Sequence, residues 1–396
     1  MALAALCAFS LCQNNPGHIL SRFPCAESSM SCQLQGDNRI ESKRQIFASL
    51  QAGRGIAAIA VVIHHAAEYL GNDPRFWANS WYPRHFDFGA FGVEFFFVLS
   101  GIVILLAHWK DQGQVNSFRN YAVRRLRRIY PVYWIMLAPA IIVYQLKPML
   151  GVGFERDGWV TLSSILLVHL GSLETILHVA WTLFHEMMFY LLFSAVILSR
   201  SFGYSLLGLW FGASVLMLVI PFGGPFLQEY FSPLHLLFAL GMLIAVLIRR
   251  EVRLQAGLFL VPGIVLLAYA WGWTIRHGLP DMNRSLLAGV ASFLLLLDLM
   301  LFEREGRLSV PAWMNCLGDA SYAIYLVHFP ILSVTARVCF HFSQGTAIPL
   351  SAWLTLQVLF AIAVGISFHL AIEKPLLRQL SSTGVRKASP VAEITG

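Results

Sequence analysis

Arg54 and His65 lie eleven residues apart within one apolar segment, Gln51 to Leu70. At about 100° per residue, eleven steps make three turns plus roughly 20°. The guanidinium and the imidazole therefore share one helix face, about 16 Å apart along the axis. A charge and a titratable ring on one stripe of a membrane helix point to a cavity rather than to lipid. His64 and Glu68 stand in the same segment. Glu68 is three residues from His65 and four from His64, so it can pair with either. A carboxylate beside an imidazole holds its tautomer and raises its basicity, as a general base requires. The plainer reading is a polar cluster that only joins helices. An arginine, two histidines and a glutamate on one membrane helix favour chemistry.

Four further segments carry residues that an apolar chain does not spend freely. Phe118–Pro131 reads FRNYAVRRLRRIYP. Its Arg124, Arg125, Arg127 and Arg128 cover an arc of about 160° if helical. Such a cluster suits a phosphate-bearing ligand, but taken alone it reads more readily as a topology signal in contact with lipid headgroups. Glu94, in GAFGVEFFFVLSG, is costly in an apolar helix and is expected to face the cavity. Trp181–Tyr190, WTLFHEMMFY, brings His185 and Glu186 to membrane depth. Glu186 is a candidate proton acceptor, ligand for substrate hydroxyls or partner for an arginine. In GDASYAIYLVHFP, Tyr322, Tyr325 and His328 recur every three residues and form a stripe that either packs a core or lines a sugar path.

The elements that must hold these residues are membrane helices. Of 396 residues 57% are hydrophobic and only 12% charged, against about 25% charged in soluble domains. The fold class is all-α: a polytopic membrane protein of about ten transmembrane helices. The apolar runs begin near residues 51, 88, 129, 179, 204, 232, 256, 284, 319 and 349. Each is long enough for about 30 Å of hydrocarbon. The run at 159–170 is short and suits a re-entrant or interfacial segment. With an inner N-terminus, ten spans place Arg119, Arg124–Arg128, Arg249–Arg253 and Lys374–Arg378 inside, in keeping with the positive-inside rule. Both termini are then cytoplasmic. Three regions are expected: an N-terminal extension, 1–45, with little structural signal; a membrane domain, 46–378; and a cytoplasmic tail, 379–396. Pro375 is expected to stop the last membrane helix. The net charge of +7 is read as topological, with membrane lipids as partners and no nucleic acid. No Cys-x2-Cys pair occurs, and no metal is expected.

Taken together, the segments resemble the acyltransferase 3 family of integral membrane proteins. The likeness rests on Arg54-Gly55-(x)9-His65, on Gly92-Val93-Glu94-(x)-Phe96-Phe97-Val98-Leu99-Ser100-Gly101, and on Arg124-Arg125-(x)2-Arg128-Ile129-(x)-Pro131. It continues through Trp181-(x)-Leu183-(x)2-Glu186-(x)2-Phe189-Tyr190, Ser321-Tyr322-(x)2-Tyr325-Leu326-(x)-His328-(x)-Pro330 and Glu373-Lys374-Pro375, in the family's order. The resemblance implies O-acylation of cell-surface or exported carbohydrate, with acetyl-CoA as donor. It implies catalysis by His65, with Arg54 its partner in the first helix. Arg124, Arg125 and Arg128 fall where the family's basic motif meets CoA phosphates, and Glu186 matches its carboxylate in the fourth helix. Glu94 departs from the family's usual aspartate and reaches about 1 Å further. The short layout looks like the exopolysaccharide acetyltransferase branch.

These readings combine into an expectation. Arg54, Arg124, Arg125 and Arg128 bind the donor. His65, assisted by Glu68 or Glu186, either deprotonates a sugar hydroxyl or carries the acetyl group transiently. Glu94, Trp181, Tyr322, Tyr325 and His328 contact the acceptor. That acceptor is a polysaccharide or a lipid-linked sugar, and association with the polysaccharide-building machinery of the inner (plasma) membrane is expected. The competing class is a multi-pass transporter or flippase of glycan precursors. Such carriers often show inverted repeats, and no internal repeat is visible here.

Overall fold

A computed structural model describes residues 48–71, 84–279, 281–343 and 349–382. The extension at 1–45 lies outside the described residues, as does the tail beyond residue 382. Among the described residues every regular element is helical. The long helices are α1 (Ala48–Gly71), α2 (Phe91–Ala107), α3 (Val115–Leu146), α5 (Trp181–Leu198), α6 (Arg200–Val219), α8 (Leu236–Arg249), α9 (Leu260–His277), α10 (Met282–Arg304), α11 (Ala312–Ser343) and α12 (Leu350–Phe368). Shorter pieces are α4 (Gly158–Leu166), α7 (Pro225–Tyr230) and α13 (Lys374–Ser382).

Helices thus stand at all ten positions where apolar runs occur. Among the described residues, eight helical segments are long and apolar enough to cross a membrane. The other two positions are α1, which carries the Arg, His and Glu residues, and α9, with 18 residues ending in Arg276 and His277. The protein is a multi-pass membrane protein. The run near 159–170 forms only the nine-residue α4, capped by Asp157 and ended by Leu167 in the left-handed conformation. Nine residues rise about 14 Å, too little to span.

Two elements differ from expectation for local reasons. The arginine-rich stretch does not precede the third helix but is its first turns, since α3 has 32 residues. That is about 48 Å of helix, more than hydrocarbon requires, so its basic end projects beyond the apolar layer. Pro375 does not stop the last helix. The chain passes through one π turn, His369–Glu373, and resumes as α13, with Pro375 in the first turn, where a missing N–H costs nothing. Residues 379–382, assigned to the tail by sequence, are its last turn.

α1 is held on three sides. α11 covers it most extensively, with α2 and α12 alongside. A Cβ added to Gly92 would stand 2.6 Å from the Ala57 carbonyl oxygen. One added to Gly55 would stand 2.8 Å from Leu317 Cβ. Small residues at these crossings let the helices touch by backbone, the usual adhesive between membrane helices. The start of α1 is fixed by a distant carboxylate: Glu303, at the end of α10, accepts from the N–H groups of Ala48 and Ser49 at 3.2 and 3.0 Å. These are donors that the first turn leaves without helical partners. The main core joins α2, α5 and α8, with Phe97, Phe189, Phe193 and Phe238 buried. A second core joins α1, α11 and α12 through Ala58, Val62, Ala320, Ile324 and Ala361.

Candidate functional site

The arginine end of α1 opens on a cavity. It is lined by Arg54, Arg125, Arg128, Ser100, Glu186, Tyr190, Tyr322 and Tyr325, with Phe96 and Phe97 among its apolar walls. Side chains from α1, α2, α3, α5 and α11 therefore meet in one space. Arg54 Nη1 donates to Gln51 Oε1 at 3.1 Å, while its buried Nε has no partner. Glu186 accepts from Ser100 Oγ at 3.1 Å and from the Tyr190 hydroxyl. Tyr322 donates to the Ile129 carbonyl at 3.0 Å, which ties α11 to α3 beside the arginines.

Arg125 is aimed by a chain of its own. Its Nη2 donates to His108 Nε2 at 2.9 Å, and His108 Nδ1 donates to Asp111 at 2.8 Å. Only the tautomer with its proton on Nδ1 satisfies both bonds. The hydrogen bond from His108 holds the Asp111 carboxyl below its ordinary value. The Arg125 guanidinium also lies over the Tyr190 ring, 5.6 Å from its centre. Arg128 is exposed and belongs to the cavity's rim, whereas Arg124 is exposed and outside the lining.

His65 stands at the other end of α1, turned into the bundle. Its Nδ1 is 3.0 Å from Glu68 Oε2. Its ring stacks on His328 at 5.3 Å and meets the edge of Phe329 at 5.3 Å. His64 and His178 lie at 4.8 and 6.2 Å between ring centres. His328 is fully buried, with Nδ1 3.2 Å from the Ile324 carbonyl and Nε2 without a partner.

The cavity does not reach His65. Tyr325 closes it, sharing a 2.8 Å hydrogen bond with Thr182 and lying 5.7 Å from the His328 ring. The layer Tyr325–His328 thus separates the arginines from the imidazole. A continuous path along one α1 face, as the spacing suggests, is filled in this structure by two α11 side chains.

Glu94 is also placed differently from expectation. It is 2% exposed, outside the cavity lining, and paired with Arg284 at 2.9 Å. Arg284 sits in the first turn of α10, 190 residues away. Trp181 likewise faces Phe97 and His185 rather than the cavity. Sequence reasoning gave no role to Arg284, His108 or Asp111. For Arg284 a signal existed, a buried arginine opening an apolar helix. The His108–Asp111 pair at the end of α2 gave none beyond its three-residue spacing. A further polar group lies at the start of α5, where His185 contacts Glu229 at 3.2 Å and His235 at 2.8 Å.

Comparison with known proteins narrows the chemistry. Residues 47–372 match the acyltransferase 3 family, described as an acyltransferase domain. The exopolysaccharide production protein ExoZ of Rhizobium meliloti is 30% identical over 333 residues, 80% of this chain and 95% of that protein. The acyltransferase MdmB of Streptomyces mycarofaciens is 27% identical, covering 84% of this chain and 92% of its own. The peptidoglycan O-acetyltransferase OatA of Listeria monocytogenes is 26% identical over 170 residues, 39% of this chain and 25% of that protein. No solved structure matches the chain.

Proposed function

Because the chain belongs to the acyltransferase 3 family, we propose that this membrane O-acyltransferase moves an acetyl group from cytoplasmic acetyl-CoA to a hydroxyl of an exported polysaccharide or its lipid-linked precursor. The observation that carries this reading is the pairing of two chemistries at the two ends of α1. Three guanidiniums converge on one cavity, and an imidazole–carboxylate pair stands at the helix's other end. Guanidiniums suit the donor's phosphates; the pair suits removal of a hydroxyl proton. The likeness to an exopolysaccharide production protein supports a carbohydrate acceptor.

In the reaction, Arg125 and Arg128 hold phosphates at the cavity rim, and Arg54 meets the donor deeper in. The acetyl end passes the Tyr325 layer when its hydrogen bond to Thr182 opens. Glu68 holds the His65 Nδ1 proton, which leaves Nε2 as base. Nε2 takes the proton of the acceptor hydroxyl, whose oxygen attacks the thioester carbonyl carbon. The carbon–sulfur bond breaks, and the departing thiolate receives the proton back from His65. Glu186 orients the donor beside Arg54. With both termini cytoplasmic, donor and acceptor come from opposite sides of the membrane.

The test compares surface polysaccharide by NMR in cells with and without the protein, alongside acetyl-CoA consumption by the purified protein. Loss of O-acetyl signals on deletion, with acceptor-dependent CoA release in vitro, supports the reading. Unchanged acetylation with no CoA release would favour a carrier of glycan precursors.

A further inference from the structure

We propose that His64, His65 and Glu68 form an inhibitory site for a divalent transition-metal ion of the zinc class. The proposal rests on the assignment of His65 as base and names a way that base is switched off. Each of the three residues offers one ligand atom, and these atoms all lie within 4.8 Å of one another. Two are already at coordination spacing. His65 Nδ1 and Glu68 Oε2 are 3.0 Å apart. Two ligands on tetrahedral zinc, with bonds of about 2.0–2.1 Å, stand about 3.3 Å apart. An ion can replace the proton that this hydrogen bond now shares.

The third ligand, His64, lies beside a second carboxylate. His64 Nδ1 is buried and makes no hydrogen bond. Asp87 Oδ1 is 3.3 Å from it. Two carboxylates, Glu68 and Asp87, therefore face the imidazoles, enough to balance a divalent ion in a poorly hydrated place. Access comes through Glu68, whose side chain is 45% exposed against 6% for His64. Small rotations of the three side chains close the remaining gap, and water completes the shell. Two imidazoles with carboxylate select zinc-like ions over magnesium or calcium, which prefer oxygen ligands.

Metal on Nδ1 removes the Glu68 carboxylate from its orienting role and draws electron density from the ring. His65 then no longer accepts a proton, and transfer stops. The ion is an inhibitor, not a cofactor.

The purified full-length protein in nanodiscs tests this with the metal alone. Cobalt(II) should give the visible absorption of a tetrahedral nitrogen–oxygen site, and zinc should bind one per chain by calorimetry. Zinc should inhibit acetyl transfer over the same concentrations, and a chelator should restore it. His64→Asn should weaken both binding and inhibition, the latter read against the variant's own metal-free rate, at least about tenfold, since even residues behind a ligand cost that much. Glu68→Gln should weaken cobalt binding as well. Absence of saturable binding overturns the proposal. So does binding unchanged in both variants, or a zinc-loaded protein that transfers at full rate. Protein that binds cobalt as described but never transfers acetyl overturns the enzymatic reading and not the ion site.

Discussion

The two ends of α1 are built on opposite plans. Around Arg54 the side chains leave space: three guanidiniums, a carboxylate and three tyrosines face one cavity, and the Nε atoms of Arg54 and Arg125 have no partner. Around His65 the rings of His64, His178, His328 and Phe329 fill the volume. Unsatisfied buried donors beside empty space are costly unless a ligand completes them. Rings packed on several sides instead fix one side chain's direction. On the proposed function, the arginine end binds the donor and the histidine end reacts once Tyr325 yields. One helix keeps the two functions in register.

If that division holds, substitutions at the two ends fail in different ways. The largest effect belongs to His65→Ala, which should cut O-acetylation of the glycan, read by NMR, by about 10²–10⁴-fold, the usual contribution of a general base. Membrane abundance should not change. Breaking the buried pair by Glu94→Ala should cost about 3–5 kcal/mol of stability. That loss is seen as earlier thermal unfolding in detergent, with a normal KM for acetyl-CoA in the folded fraction. Donor binding through a charged hydrogen bond is worth about 1.5–3 kcal/mol. Arg125→Ala should therefore raise the KM for acetyl-CoA about 10–100-fold with kcat little changed, and His108→Ala should do the same more weakly by freeing Arg125. The smallest effect is expected of Tyr325→Phe. It removes the Thr182 bond, worth about 1 kcal/mol, and should raise acceptor-independent acetyl-CoA hydrolysis about fivefold in a thiol-release assay.

The histidine end was the more legible in sequence. His65 and Glu68 are neighbours on one helix turn, so spacing alone brings them together. The arginines and Glu186 were visible as charges in apolar runs, and their convergence follows from helix packing that no local pattern encodes. Glu94 shows the limit. Its burial was expected, but its partner Arg284 lies 190 residues away, so the direction of its side chain was not readable. The Tyr325 layer was hidden for a similar reason. A stripe of Tyr322, Tyr325 and His328 suggests one surface, yet packing sends the tyrosines to the cavity and His328 to His65. The helices were legible throughout because long apolar runs have few alternatives in a membrane.

Calorimetric titration of acetyl-CoA into purified His65→Ala and Arg125→Ala/Arg128→Ala proteins tests the division most directly. The His65 variant should bind donor within about twofold of wild type, well under the roughly 1.4 kcal/mol of a tenfold change, and form ester about 10²–10⁴-fold more slowly. The double arginine variant should lose most of its affinity. A His65 variant that loses donor binding to the same degree, or that still acetylates acceptor at the wild-type rate, would contradict the account.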